Sequence, residues 1–477
     1  MLAAQYLADA PKLDTGNTAW LLASSALVLI MTPGLALFYG GLNRAKSVLN
    51  MMMMSFSCIG LISVLWLLYG FSLSFGTNSD SGTNDWIGSF SQYLGTKTFI
   101  SEIWGVTDAA PNGIGIPTYV ILAFQMMFAI ITVALISGGI SDRAKFGGWV
   151  LFACGWFTLV YVPVAHWIWG GGFIAAKLHA LDFAGGTAVH INAGSAALAL
   201  ALVLGKRVGW PKDGFRPHNV PMVALGAGLL WFGWFGFNAG SELTADPITA
   251  VAFVNTQCAT AAALLGWVIV EWIRGRPTMV GASSGAVAGL VAITPACGYI
   301  APFASVLLGL VAGAVCALAV SLKYRFGFDD SLDVVGVHFV GGWIGSLWIG
   351  LFATSTVASP AVLGAGLAHN GLFTGGGLGQ LGRQALCSGI VSVYSFTLAY
   401  VLGWVIQKTI GFRASTEAEV DGIDIAEHAE SGYDLSPAGG GGTGAFALAG
   451  VGKPTSTQAA AGTPAPADAP DAAKVAG

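Results

Sequence analysis

The sequence predicts an all-α polytopic membrane protein with eleven transmembrane helices. Three observations predict it: a deficit of charge, the number of apolar stretches long enough to span a bilayer, and the regular alternation of basic residues between those stretches. The 477 residues are 55% hydrophobic and only 9% charged, with a mean hydropathy of +0.71. A soluble domain carries roughly 25% charged residues. The 68 glycines and 16 tryptophans agree, since glycine lets helices approach closely in lipid and tryptophan favours the membrane–water interface.

A spanning helix needs about 20 mostly apolar residues. Eleven stretches qualify, at about 18–42, 48–75, 117–138, 147–170, 186–205, 219–240, 248–272, 279–296, 301–322, 334–354 and 384–407, the eighth being short. Basic residues collect in alternate connections: Arg44 and Lys46; Arg143 and Lys145; Lys206, Arg207, Lys212 and Arg216; Arg274 and Arg276; Lys323 and Arg325; Lys408 and Arg413. The other side holds Lys12, Lys97, Lys177 and Arg383. The positive-inside rule then puts the N-terminus outside and the C-terminus inside. One missed or invented span would scramble this alternation.

Four segments follow. Residues 1–17 form an extracellular N-terminus; they lack an early basic run, so no cleaved signal peptide is expected. Residues 18–413 form the membrane domain, with long outer loops at 76–116 and 355–380. Residues 414–434 form a short acidic cytoplasmic tail, and 435–477 are Gly/Ala/Pro-rich and expected to be disordered. The net charge of −4 suggests neither nucleic-acid binding nor a polybasic tether. The six cysteines are scattered without a CxxC pair. They read as packing residues, and no metal or other cofactor is expected.

The fifth span begins DFAGGTAVHINAGSAA and the tenth DDSLDVVGVHFVGGWIG. His190 is followed by Ala193, Gly194 and Ala197, and His338 by Gly341, Gly342 and Gly345, at the same offsets of 3, 4 and 7. These offsets share one helix face, which places each histidine on a stripe of small residues. Each also has an aspartate eight residues earlier, Asp182 and Asp330. The two spans run in opposite directions, five helices apart. This is the mark of an inverted repeat, five plus five helices with one extra, and such repeats place their site near the midplane. Eight residues at 1.5 Å rise is about 12 Å, close to halfway through the hydrocarbon core. A single histidine could simply satisfy a neighbouring carbonyl. Two at matching positions mark a pathway. Burial disfavours the charged imidazolium, so both rings are expected neutral and able to hydrogen-bond a small polar solute.

Aromatic residues alone are weak evidence, since packing and interfacial belts account for most of them. Trp169 differs by place, at the outer end of the fourth span before three glycines. Its face could receive a cation, with Ser241 as a hydroxyl acceptor. Phe128 and Phe237 lie nearer the interior, where they could form an apolar plug.

These strings carry a resemblance. PGLALFYGGLNRAKSVLNM, AHWIWGGG, DFAGGTAVHINAGSAALALALVLGKR, WFGWFGFNAGS, ITPACGYI and DVVGVH are together similar to the ammonium transporter (Amt/Mep/Rh) family, bacterial Amt type, from about residue 18 to 434. The resemblance implies a homotrimer in the cell membrane, each protomer with its own pore. It implies an outer recruitment site of Phe128, Trp169 and Ser241, stacked gate residues Phe128 and Phe237, and pore histidines His190 and His338. Asp182 matches the family's aspartate, near the recruitment site and structural or proton-related. EVDGIDIAEHAESGYDL resembles the family's cytoplasmic tail, which implies contact with a neighbouring subunit and a PII-type regulatory protein; the alternative is a solvated acidic tail. Met126 and Met127 depart from the small residues often found between the two phenylalanines of the third span.

The expected function is transport of ammonium or ammonia: recruitment of the cation, deprotonation, and passage of ammonia. A passive channel for another small neutral solute and an ammonium sensor are the alternatives. An enzyme is not expected, since no nucleophile beside a base, HExxH or carboxylate cluster is present.

Overall fold

A computed structural model of the chain describes residues 13–95, 102–105, 113–358 and 369–433. Residues 1–12 of the N-terminal segment and the stretch 435–477 lie outside them, as do parts of both long loops. Among the described residues, ten helices are long and apolar enough to cross a membrane: α1 Thr15–Leu42, α2 Ala45–Phe75, α3 Thr118–Ile140, α4 Phe146–Leu178, α5 Gly186–Leu204, α6 Val220–Glu242, α7 Pro247–Arg274, α9 Pro302–Phe326, α10 Val335–Phe352 and α11 Gly379–Thr409. The eighth, α8 Met279–Ile293, is apolar but shorter, as its sequence predicts. Two short helices follow, α12 Thr416–Asp421 and α13 Ile423–His428.

The starts of these helices are set by local chemistry. Asp14, Asn219, Asp246 and Thr278 cap α1, α6, α7 and α8 through side-chain oxygens that accept backbone N–H groups. Proline opens α7 and α9 at the position where its missing N–H is harmless. The fourth span overruns its expected end near residue 170. The chain bends at Gly170–Gly172 and then resumes as a single turn to Leu178.

The packing follows the repeat. α1 lies along α6, and α5 crosses α10. Small residues permit this closeness: a Cβ on Gly226 would sit 2.3 Å from the Phe38 nitrogen, and one on Gly194 would sit 2.7 Å from the Phe339 nitrogen. In lipid, dispersion across such close backbones replaces the hydrophobic drive available in water.

One end of the bundle gathers the basic residues. Arg207 donates to both oxygens of Asp329, at 2.9 and 2.8 Å. Arg143 lies 3.6 Å from the same carboxylate and donates to Ser331 at 2.6 Å. Arg44 pairs with Asp142. The acidic segment docks here, on the chain's own loops. Asp424 accepts the first-turn N–H groups of α2 from Leu49 and Asn50, at 3.0 and 2.8 Å. Glu427 accepts the Phe146 N–H of α4 at 2.9 Å. Glu419 accepts from Val208 N and Arg413 Nε, at 3.0 and 2.8 Å. Carboxylates at helix N-termini satisfy orphan donors and complement the helix dipole. From Glu419 to Glu427 the segment is therefore docked on the chain's own loops and helix ends.

Candidate functional site

The site begins with two aspartates that set the starts of the two histidine-bearing helices. Asp182 accepts four backbone N–H groups. One oxygen takes Gly185 and Gly186 at 2.9 and 2.6 Å, and the other takes Thr187 and Ala188 at 2.8 and 2.9 Å. This gathers the free N–H groups that open α5 around one buried carboxylate. Gly185 makes it possible with a φ of 113°, a backbone region that favours glycine. Asp330 does the same for α10, accepting from Val334 and Val335 at 3.1 and 2.7 Å. Both helices then open with a widened π-type turn, Gly186–Ile191 and Val335–Phe339. Each histidine lies within that turn, a geometry frequent at functional sites.

The two imidazoles meet. Their Nδ1 atoms are 3.3 Å apart and their ring centroids 5.3 Å apart, nearly parallel at 27°. His190 is 1% exposed and His338 3%. A bond between two Nδ1 atoms needs one proton: one ring donates Nδ1–H and the other accepts. The donating ring then has a bare Nε2 and the accepting ring an Nε2–H. The pair thus presents one acceptor and one donor. His190 Nε2 is buried and has no hydrogen-bond partner among the described residues.

A column of rings leads to this pair. Trp169 meets Phe128 edge to face at 6.0 Å. Phe128 stacks on Phe237 at 4.2 Å and 24°, and Phe237 lies 6.1 Å from His190. Trp169 is oriented by a bond from its Nε1 to the Asp182 carbonyl at 3.0 Å. Ser241 sits one turn beyond Phe237 and donates to its carbonyl at 2.7 Å, which leaves the hydroxyl oxygen able to accept. A cavity of about 10 Å³ lies beside the histidines, near the minimum needed for one water-sized molecule. Met31, Leu35, Ile131, Leu135 and Val287 are among its walls, and no carboxylate lines it. Met126 and Met127 are not in its lining.

Six of the seven residues singled out from sequence join in one line: Trp169, Phe128, Phe237, His190 and His338 as rings, with Asp182 beneath Trp169. Ser241 is joined to the line through the Phe237 carbonyl. Trp234 was not foreseen. It stacks on His190 at 5.4 Å and 20°, and its Nε1 donates to Thr294 at 2.8 Å. Its spacing of three residues from Phe237 was the available signal, since it places both on one face of α6. Among so many tryptophans it did not stand out.

The fold and the site together define a multi-pass membrane protein built on an inverted repeat, with a column of aromatic rings that ends on a buried histidine pair between its helices. The model of the Ammonium Transporter Family matches residues 19–433, and the chain belongs to that family. An ammonium transporter of Mycobacterium bovis is 55% identical over 444 residues, 90% of this chain and 92% of the relative. Among solved structures, Candida albicans Mep2 superposes with a TM-score of 0.75 at 35% identity, over 85% of this chain and 87% of its own. A structure titled Sensor Amt Protein superposes with a TM-score of 0.76 at 27% identity, covering 87% and 98%.

Proposed function

We propose that the chain moves ammonium nitrogen across the membrane as ammonia, after recruiting the cation at the Trp169 end. The observation that carries this is the unbroken column from Trp169 to His338, closed midway by stacked phenylalanines. A cation is attracted to the faces of Trp169 and Phe128, and Ser241 accepts one of its N–H bonds. The Phe128–Phe237 stack offers no ligand, and burying an unpaired ion there costs several kcal/mol or far more. Ammonium escapes this barrier by leaving its proton behind. Potassium, similar in size and charge, has no proton to lose.

Beyond the stack, ammonia meets the histidine pair. It donates to the bare Nε2 of one ring and accepts from the Nε2–H of the other. The proton released outside either stays there or returns along the imidazoles, and this decides whether net transport is ammonia or ammonium. The basic end faces the cytoplasm in this reading, with the N-terminus outside, and the docked acidic segment lies where a PII-type protein would meet it. The family resemblance favours a homotrimer.

The test is uptake of methylammonium by proteoliposomes. His190→Ala/His338→Ala is expected to lose uptake or to admit potassium. Wild-type uptake with potassium still excluded would sink the histidine role. Current under an ammonium gradient, with a potassium control, separates net charge movement from neutral passage.

A further inference from the structure

A second cavity opens beside the recruitment ring. It is about 510 Å³ and is lined by Trp169 on one side and by Phe75, Tyr93, Glu102 and Trp104 on others. Three of these rings pack together: Trp104 meets Phe75 at 6.1 Å and Tyr93 at 6.5 Å. Among the described lining residues Glu102 is the one charged side chain. Its Oε1 accepts from Tyr93 Oη at 3.1 Å and Thr118 Oγ1 at 3.4 Å.

The segment that carries Glu102 and Trp104 is tied to the start of α3. Trp104 N donates to Ile116 O at 2.9 Å, Ile114 N to Trp104 O at 3.2 Å, and Thr118 N to Glu102 O at 3.0 Å. Glu102 and Trp104 are thus tied to the start of the helix that bears Phe128.

We propose that this cavity is a second cation site, an antechamber that binds ammonium and small methylated ammonium ions before Trp169 takes them. One carboxylate beside aromatic rings, with the uncharged polar side chains of Thr77 and Gln92 also in the lining, fits a monovalent, weakly hydrated cation. A single carboxylate is a poor match for calcium, which takes about six to eight oxygen ligands. The volume far exceeds that of ammonium, so the site also accepts tetramethylammonium, which has no proton to release. The antechamber holds cations without choosing among them, and discrimination falls to the phenylalanine stack. The delivery role rests on reading Trp169 as the recruiting ring. Binding in the antechamber does not.

Calorimetry of the purified full chain with tetramethylammonium tests the site. Saturable binding is expected, weakened roughly fivefold in Glu102→Gln, as befits a charge contact near water. Trp104→Leu weakens it similarly, and Glu102→Asp restores most of it. In methylammonium uptake, Glu102→Gln is expected to raise KM about threefold with Vmax retained, and the difference fades in about 0.5 M salt. Tetramethylammonium binding that is absent, or unchanged in both Glu102→Gln and Trp104→Leu, overturns the site. A lower Vmax with unchanged KM overturns the delivery role. Trp169→Ala separates the two readings: wild-type uptake there refutes recruitment at Trp169, while tetramethylammonium binding that Glu102→Gln still weakens in that background keeps the antechamber.

Discussion

Gly194→Ala places one methyl group between the two histidine-bearing helices, one turn beyond His190. The added Cβ would lie 2.7 Å from Phe339 N and Cβ and 2.8 Å from its Cα, where ordinary contact begins near 3.4 Å. These are mainly backbone atoms, so no flexible side chain can yield. The helices must part locally by about 0.7 Å. Phe339 follows His338 directly, so the imidazole pair takes up the displacement. An Nδ1–Nδ1 separation of 3.3 Å would open to roughly 4 Å, beyond hydrogen-bond reach. Losing that bond costs about 0.5–1.5 kcal/mol, and the overpacking about 1–3 kcal/mol more. Methylammonium uptake should fall by roughly tenfold, with a lower midpoint of thermal unfolding. Gly228→Ala is the control, because its Cβ would meet nothing within 4 Å on an exposed face of α6. If Gly194→Ala transported at the wild-type rate with unchanged stability, the tight crossing would not be what holds the histidines together.

Two further substitutions probe the supports of the site. Asp182→Asn exchanges one acceptor oxygen for an amide nitrogen and orphans two of the four N–H groups, at about 1–3 kcal/mol each; thermal unfolding should shift down in proportion. Intact stability with abolished uptake would instead assign Asp182 to proton movement. At the basic end, burial alone would raise the Asp329 carboxyl, but the Arg207 hydrogen bonds and the charges of Arg143 and Arg207 hold it below the usual carboxylate range. Its contribution is therefore fully present above the unfolded value near pH 4 and is lost as pH falls through the depressed folded value. Unfolding followed from pH 6 downward should show this loss, and Asp329→Asn should flatten it while lowering stability at pH 6.

The number of helices was legible because a bilayer imposes a length and a charge rule that a linear chain cannot hide, while helix ends such as that of α4, which runs on to Leu178, were not. The histidine pair was legible for a related reason: a repeat writes the same offsets twice, as Ala193, Gly194 and Ala197 and again as Gly341, Gly342 and Gly345. Residues that act through contacts distant in sequence were harder to see. Trp234 belongs to the site because it stacks on His190, 44 positions away in sequence, and Glu102 lines the second cavity because a loop folds back on α3. The acidic segment shows the same limit. Its charge was plain, but only the fold brings Asp424 and Glu427 to the N-termini of α2 and α4.

By itself the sequence determined the class of protein, the helix count, the family resemblance and the existence of a buried histidine pair, since each depends on composition or on spacing within one helix. The tertiary structure decided that the two Nδ1 atoms touch, that the aromatic rings form one column, and that the aspartates gather backbone donors to start the histidine-bearing helices. Those are distances between segments far apart in the chain, fixed only when small residues let the helices close to contact.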